Sequence, residues 1–400
     1  MKDAYKDHFL VGTAINRTLA TGTASRGRTQ EQVDRDVALV KAQFNQLTAE
    51  NDMKWALIHP REGPNGYDFG PADAFVNFGL SHDMYLAGHT LVWHAQTPNW
   101  VFAGTNPPPV TTPPTSPPAA GTPTADTANA PATNRIGTGR PGPGFGGGFG
   151  RGVYDGPRAS REELLERMRD HIHTVVGRYQ GKVKVWDVVN EAIADQGTNV
   201  LRHSLWLQII GPDFIAKAFQ YAHEADPGAI LRYNDYGLEN AGKRRKLITL
   251  IRSLQEQQVP VMAIGTQAHL NVSGASFENM DQSLTELATL GLPIHVTELD
   301  INSAQGGQRS TGADLANNAA ATQGGLVEDA DQRLTEAYEG VFRAFMKHRA
   351  AIEMVTFWGP NDANSWRRSG TPLLFDVNGQ PKPAFDAVLR VARETPPDAP

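Results

Sequence analysis

Cysteine is missing from all 400 residues, which excludes disulfides, thiolate nucleophiles and thiolate metal sites while leaving the cellular compartment open. No apolar run approaches the roughly 20 residues needed to span a membrane, and MKDAYKDHFLVG at the N-terminus lacks the apolar stretch of a signal peptide. Basic clusters are missing too. Lys and Arg number 37 against 43 Asp and Glu, a formal charge of −6, so neither nucleic acid nor an anionic membrane is an expected partner. A neutral substrate fits this balance. The chain exceeds an ordinary domain, yet one barrel of alternating strands and helices with insertions accommodates its length.

The most informative stretch is KVWDVVNEA, Lys184 to Ala192. Its apolar, β-branched run is too short for a helix and reads as a strand buried on both faces, delivering Asn190 and Glu191 at its C-terminal end. LPIHVTELDI, Leu292 to Ile301, has the same build and delivers Glu298. In a parallel barrel all strand C-termini open on one face, so two glutamates a hundred positions apart can meet in one cleft.

Other strands are expected at His8 to Asn16, Phe44 to Asn51, Tyr85 to His94, Ala229 to Asp235, Val261 to Leu270 and Ile352 to Gly359. Helical spacing follows Thr29 and covers Pro71 to His82, Ser160 to Tyr179, Pro212 to Ala225, Gly242 to Gln257, Phe277 to Thr289, Asp329 to His348 and Pro383 to Val391. Ser160 and Glu163 form a capping box at the start of the third of these. Eight strands alternating with eight helices predict an α/β fold, the (β/α)8 TIM barrel, as a single catalytic domain over 1–400.

Two stretches interrupt the alternation. Gly104 to Pro157 holds 12 Pro and 12 Gly in 54 residues and reads as a loop insertion, because it has too little apolar surface to offset its ordering entropy. It leaves the third strand, so it is expected on the catalytic face, flanking the leaving-group subsites. Within it, GFGGGFGRGVY reads as a flexible surface loop whose rings could alternatively stack on a sugar. A second loose loop is expected over 303–326.

Polar and aromatic residues gather at the strand C-termini: Glu50, Asn51 and Lys54 after the second strand, His89 and Trp93 at the third, Tyr236 after the fifth, Gln267 and His269 at the sixth. Glu298 and Asp300 belong to the seventh, Trp358 and Trp366 to the eighth. Planar amides and carboxylates suit sugar hydroxyls, and flat rings suit sugar C–H faces. Glycoside hydrolysis needs two carboxyls, one protonated to release the leaving oxygen and one ionised. A separation of about 5 to 5.5 Å retains anomeric configuration, whereas about 6.5 to 9.5 Å admits water and inverts it. An apolar or like-charged setting that includes Trp93 is expected to keep Glu191 protonated, while Asp300 orients His269, which donates to Glu298. His171 and His173 lie two apart on a helix and point to different faces, so they are expected to be structural.

The strings FNQLTAENDMKW, GHTLVWH, WDVVNEA, YNDY, GTQAHL, VTELDI and FWGPNDANSW resemble those of glycoside hydrolase family 10, the endo-β-1,4-xylanases. The resemblance implies retaining hydrolysis of xylan and xylo-oligosaccharides, with Glu191 as acid/base, Glu298 as nucleophile and Asn190 on the 2-hydroxyl of the sugar at the cleavage point. It places Glu50, Asn51 and Lys54 on the next sugar, with His89, Trp93, Gln267, Trp358 and Trp366 around the glycone and Tyr236 on the leaving-group side. No cofactor or metal is implied, and a monomer is expected. Two departures stand out: the long insertion after the third strand and the residues GPNDANSWRR around the last tryptophan. Because polymeric xylan cannot enter a cell, secretion is expected, with a cytoplasmic enzyme for imported oligosaccharides as the alternative. A non-catalytic sugar-binding barrel would need a lost carboxylate, and a metal-dependent barrel hydrolase would want a His-x-His on the first strand; the sequence offers neither.

Overall fold

The computed structural model describes residues 1–25, 27–104, 154–304, 325–367 and 370–394. Ten parallel strands build the sheet: β1 (Leu10–Ile15), β2 (Gln46–Ala49), β3 (Tyr85–Gly88), β4 (Val92–Trp93), β5 (Val185–Asn190), β6 (Ile230–Asp235), β7 (Ala263–Thr266), β8 (His269–Asn271), β9 (Ile294–Asn302) and β10 (Ile352–Phe357). They run in the order β10-β1-β2-β3-β5-β6-β7-β9, and pairing of β10 with β9 closes the ring as an eight-stave barrel. Two staves predicted as continuous are broken. The third bends at a cis His89–Thr90 peptide, after which β4 resumes pairing with β5. The sixth breaks at Ala268, whose φ is 55°, and β8 then pairs with β9 beside Asp300. Both breaks fall toward the C-terminal ends of their staves.

Helices form where the sequence supplies caps. Thr29 and Gln32 make a reciprocal capping box at the start of Gln30–Gln43, as Ser160 and Glu163 do for Arg161–Arg178. Short helices at Arg17–Thr21, Trp55–Ile58 and Leu205–Ile209 are additions that periodicity cannot reveal in so few residues. Every residue of β5 and β9 is buried, the pattern of strands covered on both faces.

The barrel interior is not wholly apolar. Asp187 on β5 and Arg232 on β6 form a fully buried ion pair, with Arg232 Nε 2.7 Å from Asp187 Oδ1. Burial alone would raise the Asp187 carboxyl, but Arg232 and a hydrogen bond from His89 outweigh it and hold the group at about 2. Burial keeps His295 uncharged: its Nδ1 accepts from Arg232 at 3.1 Å and its Nε2 donates to Glu353 at 3.0 Å. His171 is likewise buried, its ring stacked 3.7 Å from Trp55, whereas His173 faces Glu224 at the surface. As expected, the pair makes no common site.

The described ends of the long insertion are zipped together at its base. Ala103 bridges Arg158, and Gly104 N–H donates to the Pro157 carbonyl at 2.8 Å. The insertion's interior, including all of GFGGGFGRGV, and most of 303–326 lie outside the described residues. Among the described residues no helix is long and apolar enough to cross a membrane.

Candidate active site

Glu191 follows β5 directly, and Glu298 sits within β9. Their staves are separated by two others, so the pair faces across part of the mouth rather than its full diameter. Residues from those intervening staves fill the gap with amides. Gln267 Nε2 donates to Glu191 Oε1 at 3.0 Å and to Asn190 Oδ1 at 3.2 Å. Asn234 Nδ2 donates to the same Asn190 oxygen at 3.0 Å and to Glu298 Oε1 at 2.9 Å. Thr297 fixes Asn234 from behind, its hydroxyl donating to Asn234 Oδ1 at 2.7 Å. The two carboxyls are thus joined by a continuous amide chain, and Asn190, whose oxygen takes both donations, keeps its amino group as the donor left for a ligand.

The two carboxyls have different surroundings. Trp93 was expected as an apolar wall for Glu191; instead its indole N–H donates to Glu191 Oε2 at 2.9 Å. Glu298 Oε2 lies 3.1 Å from His269 Nε2, and His269 Nδ1 lies 3.0 Å from Asp300 Oδ1. Burial works against a charged imidazole, but the Asp300 and Glu298 carboxylates outweigh it and push His269 up to about 9. At neutral pH it is therefore an imidazolium between two anions. In return, although burial opposes ionisation of Glu298, the hydrogen bond from His269 and the nearby His89 hold it below its ordinary range. Asp300 is also kept low: Arg367 Nε donates to it at 2.8 Å and Trp366 Nε1 at 2.7 Å.

The expected sugar-contact residues gather around this pair. Lys54, 5% exposed, is no surface charge. Its ammonium donates to Asn51 Oδ1 at 2.9 Å and lies 5.2 Å from the Trp93 ring centroid and 6.0 Å from that of Trp358. Burial lowers the Lys54 ammonium and raises Glu50, each partly offset by the other's charge. Trp358 packs edge-on against both His89, 5.3 Å away, and His269, 6.3 Å away. Tyr236, expected to offer a ring on the leaving-group side, is held on one face and at its hydroxyl. Lys243 Nζ stands 3.3 Å over one face, and the Tyr236 hydroxyl donates to Asp195 Oδ2 at 2.7 Å.

Several contributors were not read from the sequence. Asp187 holds His89 at 2.9 Å from inside the barrel, and only a charge within an apolar strand signalled it. Asp36, on the helix Gln30–Gln43, accepts from Asn361 Nδ2 at 2.9 Å and Asn364 Nδ2 at 2.8 Å, and also from Arg28. That clamp explains the unusual NDAN residues: they tether the loop that carries Trp366. Arg202 and Asp195, from the segment after β5, carried no local signal. Among the described residues no group of three or more His, Asp or Glu is arranged to hold a metal.

The chain matches the family profile "Glycosyl hydrolase family 10" over residues 1–112 and 153–391, so the unmatched interval falls inside the long insertion. It is 35% identical over 398 residues to an endo-1,4-beta-xylanase of Geobacillus stearothermophilus, covering 98% of each chain. Among solved structures, a GH10 endoxylanase from a sugarcane soil metagenome superimposes with a TM-score of 0.75 at 34% identity, covering 98% of both chains. TsXylA, the intracellular xylanase of Thermoanaerobacterium saccharolyticum, solved also as a mutant complex with xylotriose, has a TM-score of 0.73 at 32% identity, covering 97% of both chains.

Proposed function

The chain belongs to glycosyl hydrolase family 10, and from that membership we propose that it is an endo-β-1,4-xylanase cleaving xylan and xylo-oligosaccharides by double displacement with retention. Glu298 attacks the anomeric carbon, and Glu191 protonates the departing oxygen and then activates the water that releases the glycosyl-enzyme. The observation that carries this reading is the unequal treatment of two buried carboxyls joined by one amide chain. Glu298 is held ionised by the His269 imidazolium, as a nucleophile requires. Glu191 instead accepts one hydrogen bond from Gln267 and one from Trp93, both neutral donors. Asn190 offers its amino group to the 2-hydroxyl, where hydrogen bonding strengthens as charge develops in the transition state. Glu50, Asn51 and Lys54 hold the next glycone sugar, with Trp358 and Trp366 as its flat walls.

Proton NMR of the first product formed from a xylo-oligosaccharide gives the stereochemistry directly: β-anomer is expected, and initial α-anomer refutes double displacement. Glu298→Ala is expected to abolish turnover. Glu191→Ala is expected to cost roughly 10²- to 10⁴-fold in kcat/KM on xylan, the usual worth of general acid catalysis, and far less on substrates with activated leaving groups. Because the polymer lies outside cells, we place the enzyme there; xylanase activity confined to the cell fraction of a culture refutes that placement.

A further inference from the structure

Glu191 has a φ of 57°, a left-handed conformation that is strained for a non-glycine residue and persists only where neighbours over-determine it. Three of the bonds that do so come from β6 or the residue beside it. Glu191 N–H donates to the Asn234 carbonyl at 2.9 Å, Ala192 N–H to the Tyr233 hydroxyl at 2.9 Å, and Ile193 N–H to the Asp235 carboxylate at 3.2 Å. The fourth is different in kind. Arg202 Nε donates to the Glu191 carbonyl at 3.0 Å from an irregular segment folded back by the Ile193–Leu201 bridge. The same guanidinium reaches outward: its Nη2 donates to the Tyr236 hydroxyl at 2.8 Å and lies 2.9 Å from Asp195 Oδ2. Lys243 anchors the far side, 2.8 Å from Asp195 and 2.9 Å from Asp235. Arg202 also lines a small recess beside Glu191, together with Trp93, Ser204 and Trp206.

We propose that Arg202 is a positioning residue that couples the leaving-group side, at Tyr236 and Asp195, to the main chain that aims the Glu191 carboxyl. The inference rests on reading Glu191 as the acid. Its physical basis is the rigidity of the guanidinium: Nε and Nη2 share one planar fork, so a shift at Tyr236 or Asp195 is carried to the Glu191 carbonyl without an intervening rotatable bond. A sugar hydrogen-bonded to Tyr236 or Asp195 thereby fixes the fork, and with it the line along which the proton reaches the departing oxygen. Without the fork, β6 still holds the nitrogen side of this strained turn and the Arg202 N–H still holds the Ala192 carbonyl at 2.7 Å, but the Glu191 carbonyl loses its Arg202 side-chain donor.

A series of aryl β-xylobiosides from 2,4-dinitrophenyl to phenyl tests this, because none places a sugar on the leaving-group side and only the poorer leaving groups need the proton. For Arg202→Met, kcat/KM is expected to stay within about 3-fold of wild type on the dinitrophenyl substrate and to fall about 10- to 100-fold on the phenyl one, a fraction of the full worth of an acid catalyst. Arg202→Lys, which keeps the charge but not the fork, is expected to show the same steepened leaving-group dependence. A dependence parallel to wild type in both variants overturns the coupling, as does an equal loss on every substrate accompanied by a lowered melting temperature. Glu191→Ala run in parallel separates the two levels. If it steepens the series and Arg202→Met does not, the coupling alone fails; if it does not steepen the series, the assignment of the acid fails and takes the coupling with it.

Discussion

Replacing His269 with Asn removes the cation between Glu298 and Asp300 while keeping an amide of comparable reach. The imidazole is fully buried and raised from 6.5 to about 9, which at 1.36 kcal/mol per pH unit corresponds to roughly 3 kcal/mol of folding stability. The sign follows from the direction. A raised folded value means this contribution is fully present below pH 6.5, declines as pH rises, and is gone above about 9. Wild-type protein should therefore lose thermal stability across that window, and His269→Asn should melt lower at pH 6 and lack the slope. The kinetic consequence has the opposite end of the scale. Glu298 loses a charge-assisted hydrogen bond, so its ionisation, held low in wild type, should move up. The acid limb of kcat/KM against pH reports ionisation of the free enzyme and should shift to higher pH. Asp300 keeps Arg367 and Trp366 as partners, so the loop should stay in place. An acid limb that does not move, or a variant whose melting temperature keeps the wild-type slope between pH 6.5 and 9, refutes the argument.

Asp187→Asn leaves Arg232 charged and buried without its counterion and should cost about 3 to 5 kcal/mol in urea unfolding, with the His89 ring losing its anchor. A cost below about 1 kcal/mol would show that the barrel interior is wetter than its burial indicates. Gly265→Ala places a methyl 2.3 Å from Asn234 Oδ1 and 3.1 Å from Thr297 Cγ2, so the amide joining Asn190 to Glu298 must shift. Activity on xylo-oligosaccharides should fall at least 100-fold, about what loss of an aligned catalytic pair costs, and unchanged kcat/KM would remove Asn234 from the account.

The outline of the fold was open to inspection in the residue string because period and polarity are local properties. Capping residues such as Ser160 with Glu163, and β-branched runs such as WDVVN, name their own elements and fix their order, and eight such pairs in parallel close in one way. Local patterning also marked Glu191, Glu298 and the strand-end tryptophans, since such residues at the end of an apolar strand are conspicuous, whereas only the motif around Lys54 marked that residue. Patterning could not show the breaks at His89–Thr90 and Ala268, where the backbone departs from a regular strand.

The sequence by itself determined which residues are available at the mouth and that two of them are acids. Only the tertiary structure decided how those acids differ. The partners of each carboxyl come from other staves: His269, backed by Asp300, for Glu298, and Trp93 and Gln267 for Glu191. The same holds for Arg202 and Asp36, which no local pattern singles out, because partners such as Tyr236 and Asn361 lie far along the chain and meet them only when the barrel closes.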